Sequence, residues 1–374
     1  MVSLVSRSGS LRGISALARS ALQTAGAVFA LWLTLTSAST GEVVWYQPSN
    51  GNQGGKALPD FLQLFDPAAN KWPSAQREAS VLLLSFGSLR NAEQENPDFF
   101  RSTLSPFLAR TGMKLAINSG LATFASCREL SENNQRLEHR LKVMRRMMDA
   151  GVKISFISLQ STLSKLYNRR TQCPGYSLER RIDDIIWYIS SVREGLNVHD
   201  DSLQFGLIDA SLTKGEAFVQ TQLGVSRIEE AYSQLFAALE KRGLRISYVH
   251  LDYPWERFGE FNRKRKGSFG EIHNFQAWLE ERQVASGLFL TSVRSATEKE
   301  FHDRVLQVLG GYVHGGAATR HVVLASWKKI PTTELPESPE DPNRYPMTRV
   351  LKDIGIFLRG RDRVPAVESP KTLQ

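Results

Sequence analysis

From residue 81 to residue 358 the chain alternates two textures, and that alternation constrains its fold more than any other feature. Short apolar or β-branched runs recur at Val81–Phe86, Lys114–Asn118, Val152–Leu159, Leu203–Ile208, Arg245–Leu251, Gly287–Ser292 and His321–Ser326. The runs are continuous rather than strictly alternating, as strands buried on both faces should be. Longer stretches with helical spacing separate them. Leu137, Leu141, Met144, Met147 and Met148 share one helical face. Ile182, Ile185, Ile186 and Ile189 share another, and Ile228, Tyr232, Leu235, Phe236 and Leu239 a third. Stripes of this kind read as core.

Glycine punctuates the units. Ser131 opens a helical run that Gly151 stops, and Ser226 is placed to cap a helix ending at Arg242 before Gly243. Helix, glycine, strand is the expected order at Gly112, Gly151, Gly243 and Gly287. Val43–Gln47 supplies an eighth strand, placed first. Eight β-α units over residues 43–359 fit a (β/α)8 TIM-like barrel, a fold that uses about 200–400 residues. The competing architecture, an open doubly wound sheet, wants a glycine-rich phosphate turn after its first strand. The turn at Phe86-Gly-Ser-Leu-Arg-Asn has no such pattern, so the barrel is favoured. The proline-rich stretch Pro331–Pro346 reads as a loop on the active face before a closing helix, Met347–Arg359. Residues 360–374 read as a disordered tail.

Residues 1–40 are of a different kind. Arg7, Arg12 and Arg19 precede an uncharged apolar stretch, and Thr36-Ser-Ala-Ser follows it. That is the order of a secretory signal, with cleavage fitting after Ala38 or Ser39. An uncleaved membrane anchor is the other reading, and membrane contact is expected only in that case. Either way the barrel is expected outside the cytoplasm, in a periplasm or the extracellular space. In such a compartment Cys127 and Cys173, the chain's two cysteines, are candidates for a disulfide; two separate thiols are the alternative.

Barrel chemistry collects at the carboxyl ends of the strands. Two carboxylates stand at neighbouring ends. Asp209 closes the fifth run and Asp252 the sixth, about one β-α repeat apart. Strands about 4.8 Å apart put such carboxyls roughly 5–9 Å from each other, the separation that glycoside hydrolysis uses. One would be the acid and the other a nucleophile or base. Glu256, four residues past Asp252, could replace Asp209 as proton donor. For Asp209 and Asp252, capping a following helix or pairing with Arg294 or a lysine is the structural alternative. Tyr253 and Trp255 lie beside Asp252, and Trp327 ends the last strand. Flat aromatic faces stack on the apolar faces of sugar rings. Asn118, Gln160 and Arg294 complete the polar candidates for substrate binding.

Trp327 on the final strand, an acidic and aromatic segment after the sixth, and an export signal together resemble exported TIM-barrel glycoside hydrolases. The resemblance covers roughly residues 43–358 and implies a polysaccharide or glycoconjugate as substrate and paired-carboxylate catalysis. A non-catalytic carbohydrate-binding or scaffold barrel in envelope polysaccharide metabolism is the alternative. The D-x-x-D-x-D-x-E run and the Asn-Glu pair of particular hydrolase groups are missing, so no family within the group is named.

Other chemistries find no motif. H-x-H, H-E-x-x-H, C-x-x-C, G-x-S-x-G and the P-loop are all lacking, so neither a metal nor another cofactor is expected. The formal charge is +9, but only Arg263–Lys266 forms a dense basic run. That pattern argues against nucleic acid, which calls for a concentrated basic patch. It leaves an anionic glycan as a candidate partner.

Overall fold

The computed structural model describes residues 43–49, 58–120, 127, 129–160, 163, 176–210, 220, 224–258, 268–314, 321–328 and 330–360. The signal or anchor segment, the 361–374 part of the tail, the basic run at 263–266 and Cys173 lie outside the described residues. Cys127 is described, and it is disulfide-bonded.

Eight parallel strands close into a barrel in chain order. They are β1 (Val43–Tyr46), β2 (Val81–Ser85), β3 (Lys114–Ser119), β4 (Ile154–Gln160), β5 (Gln204–Asp209), β6 (Tyr248–Leu251), β7 (Ala285–Leu290) and β8 (His321–Leu324). The ring closes through Val43 opposite His321 and Tyr46 opposite Leu324. Helices follow the strands: α1 (Pro73–Glu78), α2 (Phe86–Glu95), α3 (Ser105–Thr111), α4 (Leu130–Asp149), α5 (Leu178–Leu196), α6 (Ile228–Glu240), α7 (Ser268–Glu280), α8 (Glu298–His314) and α9 (Met347–Gly360). A 3-10 helix at Phe61–Phe65 precedes α1, and a π-helical turn at Phe99–Leu104 precedes α3.

Successive strand residues point to opposite faces, so each strand feeds two separate cores. Val44, Leu82, Leu84, Leu115, Ile117, Ile157, Leu159, Phe205, Leu207, Val249 and Leu251 pack outward against the helices. Trp45, Val81, Leu83, Ala116, Phe156, Ile208, Tyr248, Phe289, Val323 and Ala325 fill the lumen. The stripes read from sequence face the outer core, with one exception. Met148, at the end of its stripe, is 41% exposed.

The floor of the lumen is aromatic. The Trp45 ring lies 4.9 Å from Phe156, 5.1 Å from Tyr248, 4.6 Å from His250 and 5.1 Å from His321. Two polar pairs cross it. The Tyr248 and Ser158 hydroxyls are 2.8 Å apart, and His250 Nε2 meets His321 Nδ1 at 2.9 Å. Burial, and secondarily His321, holds His250 well below the ordinary histidine pKa, so the ring is neutral. Gly287 corrects the sequence reading here. It lies inside β7 and does not stop a helix. A Cβ there would come within 2.7 Å of both His250 and His321, so the position makes room for the histidine pair. Gln283, with φ 59°, takes the left-handed position between α7 and β7 instead. Gly112 and Gly243 do take left-handed conformations after α3 and α6, at φ 69° and 65°. Ser226 does not cap α6. Its N-cap is Arg227, without a side-chain bond, and Glu230 reaches back to the Ser226 N–H at 3.0 Å.

The stretch between β8 and α9 is a strap held by carboxylates. Glu298 accepts from Thr332 N–H and Tyr345 N–H at 3.0 and 2.9 Å. Asp60 accepts from Glu334 N–H and Leu335 N–H, both at 2.9 Å. Glu337 accepts from Ala75 N–H at 2.7 Å, which satisfies a donor in the first turn of α1. Buried backbone donors of an irregular segment need such partners.

Candidate functional site

The candidate site is the mouth of the barrel, at the carboxyl ends of the strands. Continuing each strand's alternation past its last lumen residue decides which side chains look into it. Trp45 leads to Gln47, Leu83 to Ser85, Ala116 to Asn118, Ser158 to Gln160, His250 to Asp252, Phe289 to Thr291 and Ala325 to Trp327. The ladder sets Ser85 opposite Asn118 and Asn118 opposite Ser158, so these positions follow the rim around.

Asp209 has the other parity. Its neighbours Phe205 and Leu207 face the helices, and its carboxylate accepts from the Tyr232 hydroxyl of α6 at 3.0 Å and from Leu163 N–H at 3.2 Å. Asp209 is 1% exposed. Asp252 N–H donates to the Asp209 carbonyl at 2.8 Å, so the two residues are immediate neighbours across β5 and β6. Their side chains nevertheless belong to opposite faces of the sheet. Their interval along the chain predicted adjacency but not facing.

Glu256 is buried and tied to the loop after β7. It accepts from Ser292 Oγ at 2.6 Å, Val293 N–H at 3.0 Å and Arg294 N–H at 2.7 Å, and Arg304 lies 3.4 Å away. Burial pushes its pKa up, but the hydrogen bonds from Ser292, Val293 and Arg294 outweigh burial and bring it below the ordinary value. That is the environment of a fixed anion and the reverse of what a proton donor needs.

The aromatic candidates divide as well. Tyr253 is buried in the outer core, 4.5 Å from the Phe258 ring. Trp255 packs on α8: its indole N–H donates to Gln307 at 2.8 Å, and the Arg304 guanidinium covers its face at 4.2 Å. Trp327 stays at the mouth, half-buried, with one side against Phe289 at 5.4 Å. Arg294 is exposed, and Gln160 is half-buried on the lumen parity.

Four groups at the mouth share one property. Both amide atoms of Gln47, Asn118 Oδ1, Thr291 Oγ1 and Trp327 Nε1 are buried without a hydrogen-bond partner among the described residues. Gln47 and Thr291 are completely buried, and Asn118 is 6% exposed. Buried polar atoms are nearly always bonded to protein, water or ligand, so these groups have bonding capacity left for water or a ligand. All the orphaned groups are uncharged donors or acceptors, and Asp252 shares the lumen parity with them. Gln47 is legible in sequence as a strand end, but nothing there distinguishes it from any polar cap. Thr291 is hidden inside an apolar run. Glu334, which is fully buried and bonded to Tyr46 and Ser49 around the exit of β1, sits in a proline-rich loop with no local signal. Among the described residues no group of three or more His, Cys, Asp or Glu could hold a metal ion, and no helix is long and apolar enough to cross a membrane.

No protein-family model matches the chain, and no curated protein does. The structure neighbours include glycoside hydrolases with a TIM-barrel-like fold. A glucosidase from Croceicoccus marinus is 10% identical, with a TM-score of 0.47 over 85% of this chain and 68% of the neighbour. An endoxylanase from Clostridium papyrosolvens is 9% identical, with a TM-score of 0.43 over 89% and 76%. The 3-keto-D-glucoside 4-epimerase of E. coli is 10% identical, with a TM-score of 0.43 over 85% and 99%.

Proposed function

We propose that the chain is a carbohydrate-active barrel that seats a sugar residue at its mouth, against Trp327 and above the aromatic floor. The observation that carries this reading is the ring of partnerless neutral groups: the Gln47 amide, Asn118 Oδ1, Thr291 Oγ1 and Trp327 Nε1. A pyranose presents a dense set of hydroxyls around its edge and apolar C–H faces. It can satisfy those groups at the edge while a face stacks on the indole. Asp252, on the lumen parity of β6, is the carboxylate we assign to work on the glycosidic bond. Its partner in a two-carboxylate hydrolysis is not supplied by Asp209 or Glu256 in the positions described above.

That last point favours a second reading, a barrel that binds saccharide without cleaving it. Titration of the full chain with cello-, chito- and mannuronate hexasaccharides, followed by product analysis, separates the two. Binding of one of the three with product formation supports a hydrolase, and binding without product supports the second reading. Failure of all three to bind below about 1 mM would sink both. The mannuronate arm reports on the anionic-glycan candidate. Export is part of the proposal, on the order of the first forty residues. An exported protein whose mass begins at residue 39 or 40 fits cleavage, and an intact Met1 terminus fits the anchor.

A further inference from the structure

We propose that Glu334 is a positioning residue for the mouth: it grips the chain on both sides of Gln47 and so aims the Gln47 amide at the bound sugar. What Gln47 meets rests on the carbohydrate reading; the grip rests on geometry alone. Gln47 has a difficult task for a side chain. It is completely buried, and neither of its amide atoms bonds to any of the described residues. Its direction is therefore set by its backbone and its packing. On the strand side the backbone is fixed by Gln47 N–H donating to the Leu324 carbonyl at 2.9 Å. Glu334 supplies the rest. The Tyr46 hydroxyl donates to Glu334 Oε2, and Ser49 N–H donates to Oε1 at 2.6 Å. One carboxyl thus holds the residue before Gln47 by its side chain and the second residue after it by its backbone.

Glu334 itself cannot swing away. Its N–H donates to Asp60, and its carbonyl accepts from Thr348 N–H at 3.0 Å and Thr348 Oγ1 at 2.6 Å. The strap therefore ties the exit of β1 to α9 and to the segment before the 3-10 helix. A buried carboxyl is a costly way to fill space, and here every one of its bonds bears on residues that flank or frame Gln47.

The test is a double-mutant cycle on the full chain. Glu334→Ala, Gln47→Ala and the double variant are titrated with whichever of the cello-, chito- and mannuronate hexasaccharides the wild type binds most tightly. Each single change is expected to weaken binding about tenfold, and the double variant no more than Gln47→Ala alone. Glu334→Gln keeps an acceptor for Ser49 N–H and is expected to recover most of the loss. Losses that multiply to about a hundredfold would overturn the proposal, because Glu334 would then act independently of Gln47. Backbone amide exchange at Ser49, read without any sugar, is expected to quicken at least tenfold in Glu334→Ala. Unchanged exchange would also overturn it, even if the wild type binds none of the three sugars and only the carbohydrate reading has failed. If Glu334→Ala does not fold, Tyr46→Phe removes one arm of the grip. Its smaller loss in affinity should vanish in the Gln47→Ala background, and persistence there counts against the proposal.

Discussion

The floor and the mouth of the lumen are built from the same strands, two residues apart, and treat polar groups in opposite ways. At the floor, Tyr248 meets Ser158 and His250 meets His321, inside a cage of rings around Trp45. The Trp45 Nε1 and His250 Nδ1 atoms remain without a bond among the described residues, in rings packed against His321 and Tyr248. At the mouth, the Gln47 amide and atoms of Asn118, Thr291 and Trp327 are left without partners on the side where the barrel opens. A protein that only needed stability would have made these positions apolar, since an unsatisfied buried amide or hydroxyl costs about 1–3 kcal/mol. Among the described residues the lower layer pairs Tyr248 with Ser158 and His250 with His321, and the upper layer leaves a larger set of polar atoms unbonded.

That comparison can be broken at several points, beginning with the largest effect. If the mouth catalyses, Asp252→Asn removes charge and not volume, and turnover should fall by a factor on the order of a thousand or more while sugar affinity and melting temperature hold. Equal loss of affinity and turnover would instead make Asp252 a binding group. At the floor, Trp45→Ala should cost about 3–5 kcal/mol in denaturant unfolding, because the indole contacts four other rings. Trp327→Ala should do the reverse, with affinity weakened by about 1–3 kcal/mol through lost stacking and the unfolding midpoint little moved. A large loss of stability there would show that Trp327 is a lid on the core.

A smaller effect carries the sharper contrast. Gln47→Met should leave the fold unchanged in stability or raise it by about 1 kcal/mol, whereas Ser158→Ala should lower it by a similar amount, since it strands the Tyr248 hydroxyl. If both variants lose stability equally, the two layers do not differ as described.

Two further effects are in pH, and they have opposite signs. His250 is held well below the histidine value of 6.5. The folded protein therefore binds fewer protons there than the unfolded chain, and its contribution is complete above about pH 6.5 and lost as pH falls below it. Glu334 is pushed from 4.5 up to about 8, by burial first and by Asp60 as well, against the lowering hydrogen bonds from Tyr46 and Ser49. Here the folded protein binds the extra proton, so stability declines as pH rises from about 4.5 to about 8. Melting temperatures across pH 4–9 should lose the acid limb in His250→Phe and the alkaline limb in Glu334→Gln. An unchanged curve in either variant would remove that group as the cause.

All eight strands are legible in the sequence, because burial on both faces demands continuous apolar runs and helices between parallel strands demand spacing. Their edges moved by a few residues. The run Arg245–Leu251 holds the strand Tyr248–Leu251, whose four residues are in register with β5 and β7. Strand-end residues were legible as a set, and Asp252, Asn118, Gln160 and Trp327 do fall on the lumen parity. Asp209 was drawn into the set by its position, but position does not say which way a residue points. A single step along a strand exchanges lumen for helix layer, and the run Leu203–Ile208 is apolar at every step, so nothing in it marks the phase.

The sequence by itself determined the number of strands, their parallel order and the end of the barrel where chemistry would collect, because these follow from local periodicity and chain connectivity. The tertiary structure alone decided which polar side chains share the mouth, which carboxylates are tied up elsewhere and which glycine is a packing contact. Tyr46 and Glu334 stand far apart along the chain and meet only because closing the barrel sets β8 beside β1. Polar satisfaction is a property of neighbours in space. A buried amide with no partner looks, in a sequence, the same as one that has all of its bonds.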